Sequence, residues 1–331
     1  MKLSIIVPVY NVEKYIRPCM ESIFRQGLDE ADYEVIIVND GTKDRSMEVI
    51  ADIIEAHQNI RVINQENLSL SVARNNGIGA AKGEYILMPD SDDLLIDNSV
   101  PILLEKALET EADVVVADFL EMGDKEIDES TDLRNKGEAV FVEKTGKQLF
   151  MEDLNPRQCY VWRTLYRRAF ITQKHLTFVP GIRYQDVPFT HEAYLKAEKC
   201  LRTHWLLNIY RRGHESATFS FNKEKAKNLV IAMKATWRLR ALEDLTSDVR
   251  RKLNNNIFTS FTLLIYFMLY GIKDATERKE IFAFLRYEIP DLQFSDGWKQ
   301  KVTSFLYTNY PDTYFFIRKA LIGLTPEPNF R

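Results

Sequence analysis

The runs Ile5-Ile6-Val7 and Val35-Ile36-Ile37-Val38 are apolar without alternation. A strand with one wet face alternates apolar and polar residues. Unbroken runs of this length are buried on both faces, as in a parallel sheet covered by helices on each side. Amphipathic stretches follow the runs in turn: 3–9 then 15–26, 34–39 then 46–57, 61–64 then 69–81, 85–88 then 99–109, with 113–120 as the next strand. This βαβ rhythm predicts a doubly wound α/β domain with a mostly parallel sheet. Residues 121–147 turn acidic and polar, with Gly123, Gly137 and Gly146, and predict a surface excursion or hairpin. Past Asn222 the strand signals vanish and helical periodicity runs through 229–245, 249–271, 275–287 and 298–321, punctuated by Pro290 and Pro311. Two domains are expected, 1–220 and a helical appendage over 221–331 that faces acceptor or membrane.

Composition limits what such a chain binds. Lys and Arg total 44 against 48 Asp and Glu, a net charge of −4, so no basic field is available to hold nucleic acid by its phosphates. Cys19, Cys159 and Cys200 are far apart and form no CxxC pair, which argues against a disulfide framework or thiolate zinc site and for a reducing, cytoplasmic compartment. The opening apolar stretch ends at Pro8, too short for a signal peptide. The longest apolar run, 257–272, is interrupted by Thr259, Ser260 and Thr262, whereas a membrane span takes about 20 predominantly apolar residues. A buried or interfacial helix is expected there.

In open parallel sheets ligands bind beyond the carboxyl ends of the strands, so the residues just after each strand carry the functional information. After the first strand, Pro8-Val9-Tyr10-Asn11 lacks the glycines of a dinucleotide site. After the second comes Asn39-Asp40-Gly41-Thr42-Lys43-Asp44, in which Gly41 suits a left-handed turn and Asp44 a helix cap. Asp40 is either part of a capped turn or an acceptor for an N–H of a ligand base. After the fourth comes Asp90-Ser91-Asp92-Asp93, with Asp97 close behind. Carboxylates crowded at one strand end repel unless a cation joins them, and Mg²⁺ or Mn²⁺ takes one or two protein carboxylates plus substrate phosphates. The competing account is an N-cap cluster for the helix near Ser99. Arg74 suits an ion pair with Asp40 or Asp90, or a phosphate contact. Asp186, in Arg183-Tyr184-Gln185-Asp186-Val187-Pro188-Phe189, is either a helix cap or a partly desolvated general base. The chain holds no second His at the metalloprotease offset from His191, no Gly-x-Ser-x-Gly elbow and no P-loop.

Taken in order, 4–11 with Glu13-Lys14-Tyr15-Ile16, then 38–44, 65–83 and 85–93 resemble the motifs of the family 2 glycosyltransferases, inverting enzymes of the GT-A fold that use nucleoside diphosphate sugars. The resemblance is close over 1–115 and extends weakly to about residue 220. It implies that Pro8, Val9 and Tyr10 line the nucleotide pocket, Asp40 contacts a uracil-type base and Arg74 helps hold the nucleotide. It further implies that Asp90 and Asp92 form the Asp-x-Asp pair for ribose and metal-bridged diphosphate. Asp92 is then the direct ligand of Mn²⁺ or Mg²⁺, and Asp186 is the catalytic base. Three positions depart from the family pattern: Asn39 for a first Asp, Ser69 for a common Gly, and Gln185 for the usual Glu.

The activity so implied is transfer of a sugar, UDP-linked, to a hydroxyl of a saccharide or lipid-linked acceptor, as in cell-surface polysaccharide or glycolipid synthesis. The stretch 177–184 is expected to act as a mobile lid. Basic pairs at Arg167-Arg168, Arg211-Arg212, Arg251-Lys252 and Arg318-Lys319 suit either solvated faces or peripheral contact with the inner face of a membrane. The rival from another class is a non-catalytic sugar-nucleotide-binding or scaffolding protein. A nucleotidyltransferase would want a Gly-rich loop with an Arg after the first strand, which Pro8-Val9-Tyr10-Asn11 does not supply.

Overall fold

The computed structural model describes residues 1–129, 134–213 and 222–322. The chain forms two compact units, Met1–Ser216 and Ala217–Arg331. The expected division at residue 220 lies outside the described residues.

The first unit opens with β1 (Leu3–Val9), α1 (Ile16–Phe24), β2 (Tyr33–Asn39), α2 (Ala51–Ala56), β3 (Ile60–Asn64), α3 (Leu70–Ala80) and β4 (Tyr85–Leu87). It continues with β5 (Leu94–Leu95), α4 (Val100–Thr110), β6 (Val114–Gly123), α5 (Asp124–Glu129), β7 (Phe141–Lys144), α6 (Gly146–Glu152), β8 (Thr164–Arg167), α7 (Arg168–Gln173), α8 (Asp186–Lys196) and β9 (Cys200–Arg212). The strands make one sheet in the order β3-β2-β1-β4-β8-β6-β9-β5, with β7 also paired to β9. The ladders β1–β2, β2–β3, β1–β4 and β6–β9 are parallel and include all the long ones. Antiparallel pairing enters where short strands insert: β8 between β4 and β6, and β5 and β7 beside β9. The sheet is therefore mostly parallel and mixed at one end.

Both faces are covered, as the apolar runs require. Ile5, Val7, Val35 and Ile37 share a core with Ile16, Met20 and Ile23 of α1 and Leu103 and Ala107 of α4. Ile6 faces the other way, and a Cβ added at Gly77 of α3 would lie 2.3 Å from its Cγ2. The glycine thus lets α3 seat directly on the strand. The expected helix over 46–57 is a 3₁₀ turn, Glu48–Ile50, running into α2. The polar stretch 121–147 carries the end of β6, α5 and β7, and Thr145 with Gln148 forms a capping box that starts α6.

The second unit is helical: α9 (Lys223–Arg238), α10 (Ser247–Tyr270), α11 (Ala275–Glu288), α12 (Gly297–Asn309) and α13 (Pro311–Ile322). Asn222, Thr246 and Asp274 cap the first three through their side chains. Pro311 opens α13, and α11 stops two residues short of Pro290. Phe261 of α10 is fully buried against Phe294, Tyr307 and Tyr314. The run 257–272 is thus core. No helix among the described residues is long and apolar enough to cross a membrane.

Candidate active site

The turns after β1 and β2 are stitched together. Asn11, at φ 54°, donates its amide to Thr42 Oγ1 at 2.8 Å and accepts Lys43 N at its Oδ1. Asn39 donates to Asn64 Oδ1 at 2.9 Å and accepts Thr42 N at 3.0 Å. The amide serves both bonds at once, as donor in one and acceptor in the other. Gly41 takes φ +65°, and a Cβ there would meet Asn67 N at 2.9 Å. Asp44 caps no helix. It accepts Glu13 N, Thr42 Oγ1 and both donors of Ser46.

Asp40, 4% exposed, accepts Gln65 Nε2 at 2.7 Å, Leu68 N at 2.8 Å and Ser69 N at 3.1 Å. Of the roughly four acceptor positions of a carboxylate, three are thereby used in holding the loop before α3. Pro8 and Val9 are buried, and the Val9 side chain belongs to the core. Only the backbone of Val9 serves the strand end, its carbonyl accepting Asp40 N at 3.0 Å, whereas Tyr10 is exposed.

Ser69 carries φ 105° and ψ 157°, a region that is essentially glycine's. Its hydroxyl shares the Gly181 amide with Ser71 Oγ, at 3.2 and 3.0 Å. Ser69→Gly relieves the backbone strain and leaves Ser71 to accept Gly181. After glycine's own entropic cost we expect a gain of about 1 kcal/mol in urea unfolding. A loss of stability would mean that the hydroxyl outweighs the strain.

Asp90, Asp92 and Asp93 bring carboxylate oxygens within 4.8 Å of one another. They do not cap α4, because Gln26 Oε1 accepts both Ser99 N and Val100 N at 3.0 Å. Asp97 leaves the group to pair with Arg25 at 2.9 Å. Arg74, 2% exposed, pairs with Asp90 and lies 5.5 Å over the Phe178 ring. Burial pushes Asp90 up to about 6 against the pull of Arg74, with Asp92 and Asp186 adding to the rise. Burial and the Asp92 and Asp90 charges hold Asp93 well above the carboxylate range. Its Oδ1 accepts Arg211 N at 2.8 Å, while its Oδ2 is buried with no donor among the described residues. Crowded oxygens, one of them orphaned, make the donor set that a hard divalent cation takes, and the residues present fit Mn²⁺ or Mg²⁺.

Arg211 is the site residue that pattern alone does not reveal. Expected on a solvated or membrane-facing surface, it is 6% exposed and braces the acidic turn. Its Nε donates to the Asp92 carbonyl at 3.0 Å, its Nη1 pairs with Asp124 at 2.5 Å, and its guanidinium lies 5.0 Å over Tyr15. Arg167 and Arg168 are also tied in, to Glu111 and to the Gly83 carbonyl.

Asp186 begins α8, where its Oδ1 accepts Val187 N at 3.0 Å. Burial raises its pKa and Arg74 opposes the rise, so this one guanidinium acts on both Asp90 and Asp186. Packing joins them: Phe178, beneath Arg74, stacks on Phe189 of α8 at 3.9 Å and 7°. The neighbouring Gln185 is 5% exposed, and its Oε1 has no donor among the described residues. The stretch expected to move, 177–184, is held at Phe178 by two bonds with the Asn75 side chain and at Gly181 by Ser69 and Ser71.

Comparison with known proteins gives a consistent result. Residues 4–172 match the model of Glycosyl transferase family 2. The glycosyltransferase EpsJ of Bacillus subtilis is 39% identical over 222 residues, 65% of this chain and 62% of that protein, so the match spans less than two thirds of EpsJ. The glycosyltransferase YibD of Escherichia coli is 29% identical over 310 residues, covering 92% of this chain and 87% of YibD. Among solved structures, S. aureus TarS 1–349 in complex with UDP aligns with a TM-score of 0.75 at 18% identity, over 98% of this chain and 92% of that one, a likeness of fold.

Proposed function

Since the chain belongs to glycosyltransferase family 2 and has a GT-A-type fold, we propose that it is an inverting, metal-dependent enzyme. It moves a sugar from a nucleoside diphosphate donor, UDP-linked, to an acceptor hydroxyl. The observation that carries this reading is an acidic cluster that caps no helix and, among the described residues, keeps a buried oxygen without a donor, with Arg74 bonded to Asp90 and acting electrostatically on Asp186.

In this proposal Asp92 and Asp90 hold Mn²⁺ or Mg²⁺, with Asp93 in reach. The cation, when bound, supplies neutralisation of charge on the departing diphosphate. Arg74 reaches the donor through Asp90, holding that carboxylate in place. Asp40 offers its remaining acceptor position to a uracil-type base, Tyr10 stands at the rim of the nucleotide site, and Pro8 and Val9 shape it through their backbone. Asp186 takes the proton from the attacking acceptor hydroxyl as the glycosidic bond to the diphosphate breaks. The second unit is the proposed acceptor- or membrane-facing part.

Calorimetric titration with UDP and Mn²⁺, paired with a panel of nucleotide sugars assayed for donor hydrolysis, tests the reading. Binding with turnover supports it. Binding without turnover of any donor favours a non-catalytic sugar-nucleotide-binding protein, and no binding removes both.

The raised pKa of Asp186 has a definite sign. A base works ionised, so activity is present above its pKa and falls as pH drops through it. At saturating Mn²⁺ the acid limb of kcat lies above the ordinary aspartate value of about 3.9. A limb at or below that value would show that Asp186 is not the titrating base.

A further inference from the structure

Three aromatic rings gather between the acidic turn and α8. Tyr160 and Trp162 lie 4.7 Å apart at 14°, Trp162 and Tyr210 5.8 Å apart at 15°, and Tyr160 and Tyr210 5.7 Å apart at 29°. Stacked rings are separated by about 3.5 Å, so tyrosines on opposite faces of Trp162 would be about 7 Å apart. At 5.7 Å the two do not sandwich the indole, and the three near-parallel rings form one offset cluster. Trp162, 2% exposed, is the buried member of the cluster, while Tyr160 and Tyr210 are half-buried and reach solvent. Phe119 stands edge-on to Tyr160 at 5.6 Å and to Trp162 at 5.0 Å, which fixes the group from the side.

Chain connections bring the backbone of both tyrosines beside the elements that carry the reacting groups. Tyr210 precedes Arg211, which holds Asp93 through its amide and Asp92 through its guanidinium. Tyr160 follows Cys159, whose carbonyl accepts Thr190 Oγ1 at 3.0 Å and whose Sγ lies 3.8 Å from His191 Nδ1. Both of those residues are on α8, the helix that Asp186 opens. The electrostatics agree. Burial, then Tyr210, Asp186 and Asp93, push the Tyr160 phenol up to about 12, and burial followed by Asp93, Asp92 and Asp90 raises Tyr210.

Aromatic faces carry partial negative charge, and the C–H groups on one side of a pyranose ring are polarised the opposite way. A ring sugar lying on such a surface keeps its hydroxyls at the rim, where phenol groups meet them. An extended polyol or an alkyl alcohol presents no comparable flat face. We propose that Tyr160 and Tyr210 form the platform for a pyranose ring of the acceptor, so that the acceptor is a saccharide. This rests on the glycosyl-transfer reading above and names the substrate class that Asp186 would deprotonate.

The test compares wild type with Tyr160→Ala, Tyr210→Ala, Tyr160→Phe and Tyr210→Phe. Each is assayed with Mn²⁺ and the UDP-sugar that wild type hydrolyses, against the methyl β-glycosides of glucose, galactose and N-acetylglucosamine and against ribitol. We expect wild type to use a pyranoside in preference to ribitol, and the alanine variants to raise its KM about tenfold or more. The phenylalanine variants should stay within about threefold, and donor hydrolysis and UDP binding within about twofold throughout. Preference for ribitol, use of no pyranoside, or an unchanged KM in the alanine variants overturns the proposal. A matching loss of UDP binding or donor hydrolysis also overturns it, because the rings would then serve the donor side or the fold. If wild type hydrolyses no donor, the transferase reading fails. The platform is then decided by tryptophan fluorescence with the same glycosides: a saccharide-dependent change lost in the alanine variants supports it, and no change in wild type overturns it.

Discussion

Asp186→Asn lowers the rate of transfer by about 10²- to 10⁴-fold, the range that a positioned general base contributes, while UDP and Mn²⁺ bind as they do to wild type. The asparagine is isosteric and its Oδ1 can still accept Val187 N, so the start of α8 survives. The like charge beside Asp90 disappears, and with it one cause of the raised Asp90 pKa. Donor binding is therefore expected to hold or strengthen slightly, which separates a loss of base from a loss of structure. The measurement is UDP release under single-turnover conditions beside calorimetric binding. Turnover within about tenfold of wild type would reassign the base, since water or another carboxylate would then be taking the proton. Raising the pH is not expected to restore turnover, because an amide does not titrate.

Much of the fold is legible in the chain because it rests on local periodicity. Ile5-Ile6-Val7 and Val35-Ile36-Ile37-Val38 announce strands buried on both faces, and those strands form the parallel half of the sheet. The antiparallel insertions are another matter. β5 has two residues and β8 four, too few for period to speak, and their neighbours are chosen by tertiary packing. The same boundary runs through the site. Asp90, Asp92 and Asp93 group together because they adjoin in sequence, but Asp97, four residues on, is drawn off by Arg25 from 72 residues away. Arg211 meets the acidic turn across 118 residues, and its basic neighbour Arg212 makes the pair look like ordinary solvated charge. Asn39 uses its amide in two bonds, and Ser69 sits on strained backbone, which accounts for the family's glycine rather than for the serine. Val9 has the parity of Ile5 and Val7 along β1, so alternation carries its side chain into the core and leaves its backbone at the strand end.

Arg74→Met destabilises the protein by about 3 kcal/mol in urea unfolding, with the shortfall largest in metal-free buffer. The guanidinium is 2% exposed, pairs with Asp90, lies over Phe178 and acts on Asp186, so methionine replaces its volume and none of its charge. What remains is a partly buried Asp90 among Asp92, Asp93 and Asp186 with its main counter-charge gone. Two further measurements give this loss a cause. Adding Asp90→Asn to Arg74→Met should cost less than the sum of the single changes, because the charge left uncompensated by the first is removed by the second. Millimolar Mn²⁺ should restore more stability to Arg74→Met than it adds to the double variant, because a cation that binds only the folded state stabilises it and Asp90 is one of its oxygens. Strict additivity, together with equal Mn²⁺ effects on the two variants, would mean that Arg74 matters only as packing and that the carboxylates do not meet at a common cation.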